Sequence, residues 1–203
     1  MKLLFATGNA AKVSRFYNQL LKNNIEIVSL KEMNLNIEVE ENGKNAIENA
    51  LIKARAYRAK ANMPVMAMDD NLYIDEIPDE LQPGMFVRRV NGKRLSDEEM
   101  IEYYSNLAKK YGNNGRLTAR WVYGLAIIIN GKEKTYTWNK EDFYISSQKS
   151  NKIKPGYPLN TISINKKLNK FFIDMTEDEK AKCDDNDQDV IDFIVKTIKS
   201  GNK

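Results

Sequence analysis

Along the first third of the chain, short apolar runs alternate with amphipathic stretches. Lys2 to Ala6 is an apolar run stopped by Thr7-Gly8-Asn9, and the next segment sets Val13, Phe16, Tyr17, Leu20 and Leu21 on one helical face. This predicts strand, tight turn and helix. Ile25 to Leu30 predicts a second strand. A polar stretch follows, and then Ala50, Leu51, Ala54 and Tyr57 fall at helical spacing in a helix from about Asn45 to Ala61. Strands alternating with helices are the pattern of an α/β sheet. After Pro64, Val65-Met66-Ala67-Met68 predicts a short buried strand that ends directly on Asp69-Asp70-Asn71.

Ser96 and Glu99 form a capping-box pair ahead of an amphipathic helix that carries Met100, Ile101, Tyr104 and Leu107 to about Tyr111, with Gly112 to Gly115 as a loop. Leu117 to Ile129 is rich in aromatic and β-branched residues. Asn130-Gly131 then supplies a hairpin turn, and the chain returns through Lys134 to Trp138. Phe143 to Ile145 and Thr161 to Ile164 are further strand segments flanking the Lys- and Pro-containing stretch Ser150 to Pro158. Thr176 with Glu179 predicts another capping box, and Val190, Ile191, Ile194 and Ile198 predict a last helix. There is no internal repeat or low-complexity linker. The 203 residues are expected to form one domain, 1–203.

Composition narrows the chemistry. The single cysteine, Cys183, excludes an internal disulfide framework and a multi-thiolate metal site, so a reducing cytoplasm is the expected home. Residues 1 to 20 lack a basic start followed by an unbroken apolar run, and no apolar stretch of about 18 residues occurs, so neither a signal peptide nor a membrane span is expected. The net charge of +4 comes from lysines interleaved with acids, which reads as a solvated surface rather than a nucleic-acid stripe; the alternative footing for nucleic acid would be Lys149, Lys152 and Lys154 near Tyr157. The chain has no histidine, so catalysis must rest on carboxylates, lysines, hydroxyls and hard metal ions.

Two constellations suit such chemistry. Thr7-Gly8-Asn9-Ala10-Ala11-Lys12 joins a strand to a helix, where free backbone amides and the positive helix end favour an anion. Thr7 and Asn9 add donors, and Lys12 adds a point charge. The blander reading is a common strand-turn-helix link with a solvated lysine. The second constellation is acidic: Glu40-Glu41 before Gly43, and Asp69-Asp70 after the apolar strand. Hard carboxylate oxygens suit Mg²⁺ bridging protein to a phosphate. Taken singly, each pair reads first as an exposed loop or a turn cap. Trp121, Tyr123 and Trp138, on the hairpin, read as packing before ligand contacts. Cys183 sits among acids, which disfavours a thiolate nucleophile.

In this order the segments resemble the inosine triphosphate pyrophosphatase family, the Ham1-like pyrophosphatases of noncanonical purine nucleoside triphosphates. Ala6-Thr7-Gly8-Asn9-Ala10-Ala11-Lys12 resembles the family's phosphate-binding opening, and Glu40-Glu41-Asn42-Gly43 through Glu48-Asn49-Ala50-Leu51-Ile52-Lys53-Ala54 resembles its second block. Ala67-Met68-Asp69-Asp70-Asn71-Leu72 is similar to its Ala-Asp-Asp-Ser-Gly-Leu, and Pro83-Gly84-Met85-Phe86 with Arg89 to its Pro-Gly-x-Tyr-Ser-Ala-Arg. Four ordered matches within roughly the first 90 residues are specific as a set.

The resemblance implies a Mg²⁺-dependent hydrolase that cuts a nucleoside triphosphate between its α and β phosphates. It implies that Thr7, Asn9 and Lys12 hold the triphosphate, that Asn49 and Lys53 support the phosphate side, that Gly8 and Asn71 are further substrate-binding residues, and that Arg89 lines the cleft. Glu40 or Glu41, with Asp70, would hold Mg²⁺, and Asp70 or its neighbour Asp69 would orient or deprotonate the attacking water. The implied fold is α/β, a central twisted mixed β-sheet flanked by helices, with two lobes and a nucleotide cleft between them. A homodimer is implied as well.

The second half departs from the family pattern. Where the family has Gly-Phe-Gly-Tyr-Asp-Pro, this chain has Lys154-Pro155-Gly156-Tyr157-Pro158, in which Tyr157 is left to stack on a base. Met175-Thr176-Glu177-Asp178-Glu179-Lys180 resembles Leu-Thr-x-x-Glu-Lys, which makes Lys180 a substrate-binding lysine, but the Ser-His-Arg that follows is replaced by Asp184-Asp185-Asn186. Acids in place of a histidine and an arginine weaken contacts to a purine carbonyl edge. Three readings follow: a changed base preference, another nucleotide substrate, or a nucleotide-sensing protein without turnover.

Overall fold

The computed structural model describes residues 1–183 and 187–201. The elements run β1 (Lys2–Phe5), α1 (Ala10–Lys22), β2 (Glu26–Ser29), α2 (Ala46–Arg58), β3 (Val65–Ile74), β4 (Arg89–Val90), β5 (Lys93–Arg94), α3 (Asp97–Tyr111), β6 (Arg116–Ile129) and β7 (Lys132–Ser146). They continue through β8 (Ser163–Asn165), β9 (Lys170–Phe171), α4 (Glu177–Cys183) and α5 (Asp187–Ser200). The main sheet has the strand order β2-β1-β3-β6-β7-β8-β9, and β4-β5 is a separate hairpin. β1 lies parallel to β2 and β3, whereas β7, β8 and β9 pair antiparallel, so the sheet is mixed and the expected α/β class holds. Among the described residues no helix is long and apolar enough to cross a membrane.

The chain divides into two compact units. The first comprises Met1–Asp70, Tyr123–Trp138 and Asn186–Lys203. Its core sets Leu4 and Ala6 of the β1 segment and Val65 and Ala67 of β3 against the alanine face of α2 (Ala50, Ala54) and Tyr57. Small residues bring that helix close to the sheet: a Cβ on Gly124 of β6 would lie 2.4 Å from the backbone carbon of Ala46 and from the nitrogen of Ile47. Gly124 is therefore the residue that lets the first turn of α2 lie on the strand.

The second unit comprises Asn71–Val122 and Asn139–Asp185, and its core gathers Leu72, Ile74, Tyr104, Leu107, Phe143 and Ile162. The capping box at Ser96 forms, with Ser96 Oγ accepting from Glu99 N and Glu99 returning the bond to Ser96 N. The box at Thr176 and Glu179 forms in the same way ahead of α4.

Several local expectations are corrected. β3 does not stop at Met68 but runs to Ile74, because Leu72 and Ile74 continue the buried pattern. The acid pair thus lies within a strand rather than at its exit. The stretch read as polar after β2 is an extended segment in which Leu35, Ile37 and Val39 pack on the core of the first unit while Asn36, Glu38 and Glu40 point outward. β7 is one long strand, not two pieces. The β4-β5 hairpin turns on Asn91 and Gly92, both at positive φ (50° and 78°), an Asn-Gly signal of the same kind as Asn130-Gly131.

Candidate active site

The turn after β1 is built by its own residues. Ala6 N donates to Met66 O (2.7 Å), which fixes the end of the strand, and Asn9 N donates to Thr7 Oγ1 (3.1 Å), which curls the chain toward α1. Gly8 is exposed, and a Cβ placed there would meet nothing within 4 Å. Neither packing nor a positive φ requires glycine at this point, so the open backbone is suited to the close approach of a ligand.

Lys12, in the first turn of α1, reaches across to β3. Its ammonium forms an ion pair with Asp70 Oδ1, lies 3.9 Å from Asp69 Oδ1, and donates to Met68 O at 3.5 Å. Lys53 of α2 reaches the same carboxylate from another element: Nζ is 3.1 Å from Asp69 Oδ1 and 3.2 Å from Glu41 Oε2. Asp69 is thereby flanked by two ammonium groups, and the chain Asp70, Lys12, Asp69, Lys53, Glu41 is continuous. Two cations against three carboxylates leave a local excess of negative charge in a half-buried setting, where charge interactions are stronger than in bulk water.

The loop that brings Glu41 here is anchored by Asn49. That side chain is only 1% exposed, and its Oδ1 accepts from Gly43 N at 2.8 Å. Asn45 caps α2 by accepting from Glu48 N (3.0 Å), and Glu48 returns to Lys44 N (2.8 Å). Glu40 is exposed on this loop. Beside the turn lies a cavity of about 170 Å³ bordered by Thr7, Gly8, Glu41 and Lys53, with Ile37, Val39 and Tyr57 as its apolar wall. The apolar wall had a sequence signal in the period-two alternation from Leu35 to Glu40.

An aromatic stack adjoins the acids. Tyr123 and Trp138 stack with centroids 4.9 Å apart, and the Arg15 guanidinium lies 4.7 Å from the Tyr123 centroid while forking onto Asp187. Burial, opposed by Arg15 and reinforced by the charge of Asp70, pushes the Tyr123 phenol up to about 12, so it stays protonated. Burial works against the charge of Arg15, but the hydrogen bonds to Asp187 and the field of Tyr123 outweigh it and raise its pKa.

The structure thus brings Thr7, Gly8, Asn9, Lys12, Glu41, Lys53, Asp69 and Asp70 together within the first unit. Glu40 and Asn49 lie in this unit as well, and the remaining expected residues belong to the second. Asn71 is buried in β3, and its amide nitrogen donates to Tyr73 Oη at 3.2 Å. Arg89 is exposed and pairs with Arg94 across the small hairpin. Tyr157 is half-buried under Lys154, whose ammonium is 4.5 Å from its ring centroid, and its loop is fastened by Gly156 N donating to Asp97 Oδ2 at 2.6 Å. Lys180 is exposed and pairs with Glu177 at 2.6 Å. Asp184-Asp185-Asn186 lies outside the described residues.

An open strand-to-helix turn thus lies beside a carboxylate cluster bridged by two lysines on a mixed α/β sheet, a setting suited to an anion and a hard cation. The Ham1 family model matches residues 3–190, and the chain belongs to that family. It is 32% identical over 179 residues to a dITP/XTP pyrophosphatase of Bacillus subtilis, covering 88% of each chain. To a dITP/XTP pyrophosphatase of Christiangramia forsetii it is 30% identical over 182 residues, covering 90% of this chain and 91% of the relative. The structure of the Staphylococcus aureus Ham1 protein superposes with a TM-score of 0.74 at 23% identity over the full length of both chains, a likeness of fold.

Proposed function

We propose that this chain is a nucleoside triphosphate pyrophosphatase that hydrolyses a purine nucleoside triphosphate, of the dITP or XTP kind, to the monophosphate and pyrophosphate, using Mg²⁺. The observation that carries the reading is the convergence of Lys12 and Lys53 on Asp69, with Asp70 and Glu41 attached, beside the open turn at Gly8.

The donor set fits a divalent ion that is completed by substrate. Mg²⁺ takes one or two carboxylates from a protein and fills its remaining positions with water and phosphate oxygens. Asp69, Asp70 and Glu41 offer those carboxylates. Phosphate oxygens and water would supply the rest of the shell. Asp70 Oδ1 is buried and, among the described residues, has no hydrogen-bond partner beyond its ion pair with Lys12. When bound, the ion would neutralise charge on the departing pyrophosphate.

The backbone amides of the turn, with Thr7, Asn9 and Lys12, would seat the phosphates, and Lys53 would add charge from the cavity side. Asp70 or Asp69 would orient the attacking water and accept its proton, a role a carboxylate can fill in a chain without histidine. Asn49 would act through the loop, holding Glu41 in place. Tyr157, Arg89, Asn71 and Lys180 are proposed as the nucleoside-side contacts, within one functional domain spanning residues 1–203, in a cytoplasmic homodimer.

Incubation with Mg²⁺ and a panel of natural and deaminated purine triphosphates tests the reading. Pyrophosphate should be released fastest from dITP or XTP. Folded protein that binds nucleotide, seen as thermal stabilisation, yet releases no pyrophosphate from any member would instead make it a sensor.

A further inference from the structure

We propose that Lys53, together with Lys12, keeps divalent cations off the carboxylate cluster until a polyphosphate draws the ammonium groups away, so that cation and anion load the site together. This rests on the pyrophosphatase reading and concerns how its site is kept before substrate arrives.

One oxygen of each of the three carboxylates is already paired with an ammonium group. Lys53 Nζ is 3.1 Å from Asp69 Oδ1 and 3.2 Å from Glu41 Oε2, and Lys12 is paired with Asp70 Oδ1 and 3.9 Å from Asp69 Oδ1. A Mg²⁺ ion would have to sit about 2.0–2.1 Å from such an oxygen. At that distance it would crowd an ammonium of like charge, so one must leave before the other binds stably. Both lysines are mostly buried, with side chains 18% and 13% exposed, so neither moves freely into water. Each needs another anion close at hand.

The phosphate seat supplies one. Lys12 follows the Thr7-Gly8-Asn9 turn directly on α1, and Lys53 borders the same cavity as Thr7 and Gly8. A phosphate on the turn therefore lies within reach of both ammonium groups. Each lysine can exchange a carboxylate for a phosphate oxygen, and the freed carboxylates then accept the cation. By linkage, a polyphosphate that raises cation affinity has its own affinity raised by the same factor. The exchange also spares the ligand-free protein a cluster of unpaired, half-buried acids.

Mn²⁺ alone, standing in for Mg²⁺ and followed by electron paramagnetic resonance of the free ion, tests this on nucleotide-free protein. Wild type should bind weakly, and Lys53→Met should bind about tenfold more tightly or better, since a neighbouring like charge is gone. Arg55→Gln removes one positive charge from the same helix at an exposed pair with Glu133, and should stay within about twofold of wild type because exposed charges are screened. Thermal unfolding establishes that each variant is folded, and Lys53→Gln replaces Lys53→Met if the latter is not. The proposal is overturned if neither Lys53 variant gains Mn²⁺ affinity, or if Arg55→Gln gains as much. No turnover enters the measurement, so failure to release pyrophosphate would sink the functional reading while leaving this result to stand on its own.

Discussion

The guanidinium of Arg15 forks onto both carboxylate oxygens of Asp187, with Nε 2.9 Å from Oδ2, and so ties α1 to the first residue of α5 across 172 positions of sequence. Both side chains are largely buried, at 21% and 14% exposure. Removing one partner leaves the other charge unpaired, which costs about 3 kcal/mol. For a chain of this size, Arg15→Ala should lower Tm by roughly 6–12 °C. Asp187→Asn should lower it comparably, and the double variant should lose clearly less than the sum; additive losses would mean the two residues do not act as a pair.

Two glycines should separate stability from function. Gly124→Ala drives a Cβ to 2.4 Å from the Ala46 and Ile47 backbone, and should destabilise by about 1–3 kcal/mol in denaturant titration. Gly8→Ala meets no neighbour, so stability should stay within about 0.5 kcal/mol of wild type. Its affinity for nucleotide should nonetheless fall, because the added methyl occupies the space a phosphate would use. Unchanged nucleotide binding in Gly8→Ala would remove the turn from the site.

The loop carrying Tyr157 should loosen in acid. Asp97 accepts from Gly156 N at 2.6 Å and from Arg88 Nη1 at 2.7 Å, and these two contacts hold its carboxyl below the usual range. A depressed folded-state value means the stabilisation is complete above the unfolded value of about 3.9 and disappears as pH falls through the folded one. In thermal unfolding from about pH 7 down to about pH 3, Asp97→Asn should be less stable than wild type at the neutral end, with the gap closing in acid. A gap independent of pH would contradict this.

What could be read in the sequence followed from how local each signal is. The turn at Thr7-Gly8-Asn9 and the capping boxes at Ser96 and Thr176 are set by residues within a few positions of one another, and they appear as expected. Two adjacent carboxylates in sequence look like a break, which puts the acids of β3 at a strand exit. Burial of Leu72 and Ile74 beyond them carries the strand onward. The Asn91-Gly92 hairpin carries a turn signal, but its strands of two residues each are too short to show an alternation. Leu35 to Glu40 alternates like a strand, yet its apolar residues pack on the core while the segment stays outside the sheet. The pairing of Lys53 with Asp69 and Glu41 depends on where α2 lands against β3, and that of Arg15 with Asp187 on the return of α5; no local pattern encodes either.

Asp70→Asn should leave the fold intact and reduce kcat/KM for pyrophosphate release by about a hundredfold or more, the scale of losing a positioned proton acceptor. Equal rates in wild type and variant would take Asp70 out of the chemistry.

Cleavage between the α and β phosphates is decided by where water oxygen ends up. Hydrolysis of dITP by wild-type protein and Mg²⁺ in water enriched in heavy oxygen, with mass spectrometry of both products, should put the label in the nucleoside monophosphate and leave the pyrophosphate unlabelled. Label in the pyrophosphate, or release of orthophosphate with a diphosphate, would contradict attack at the α phosphorus.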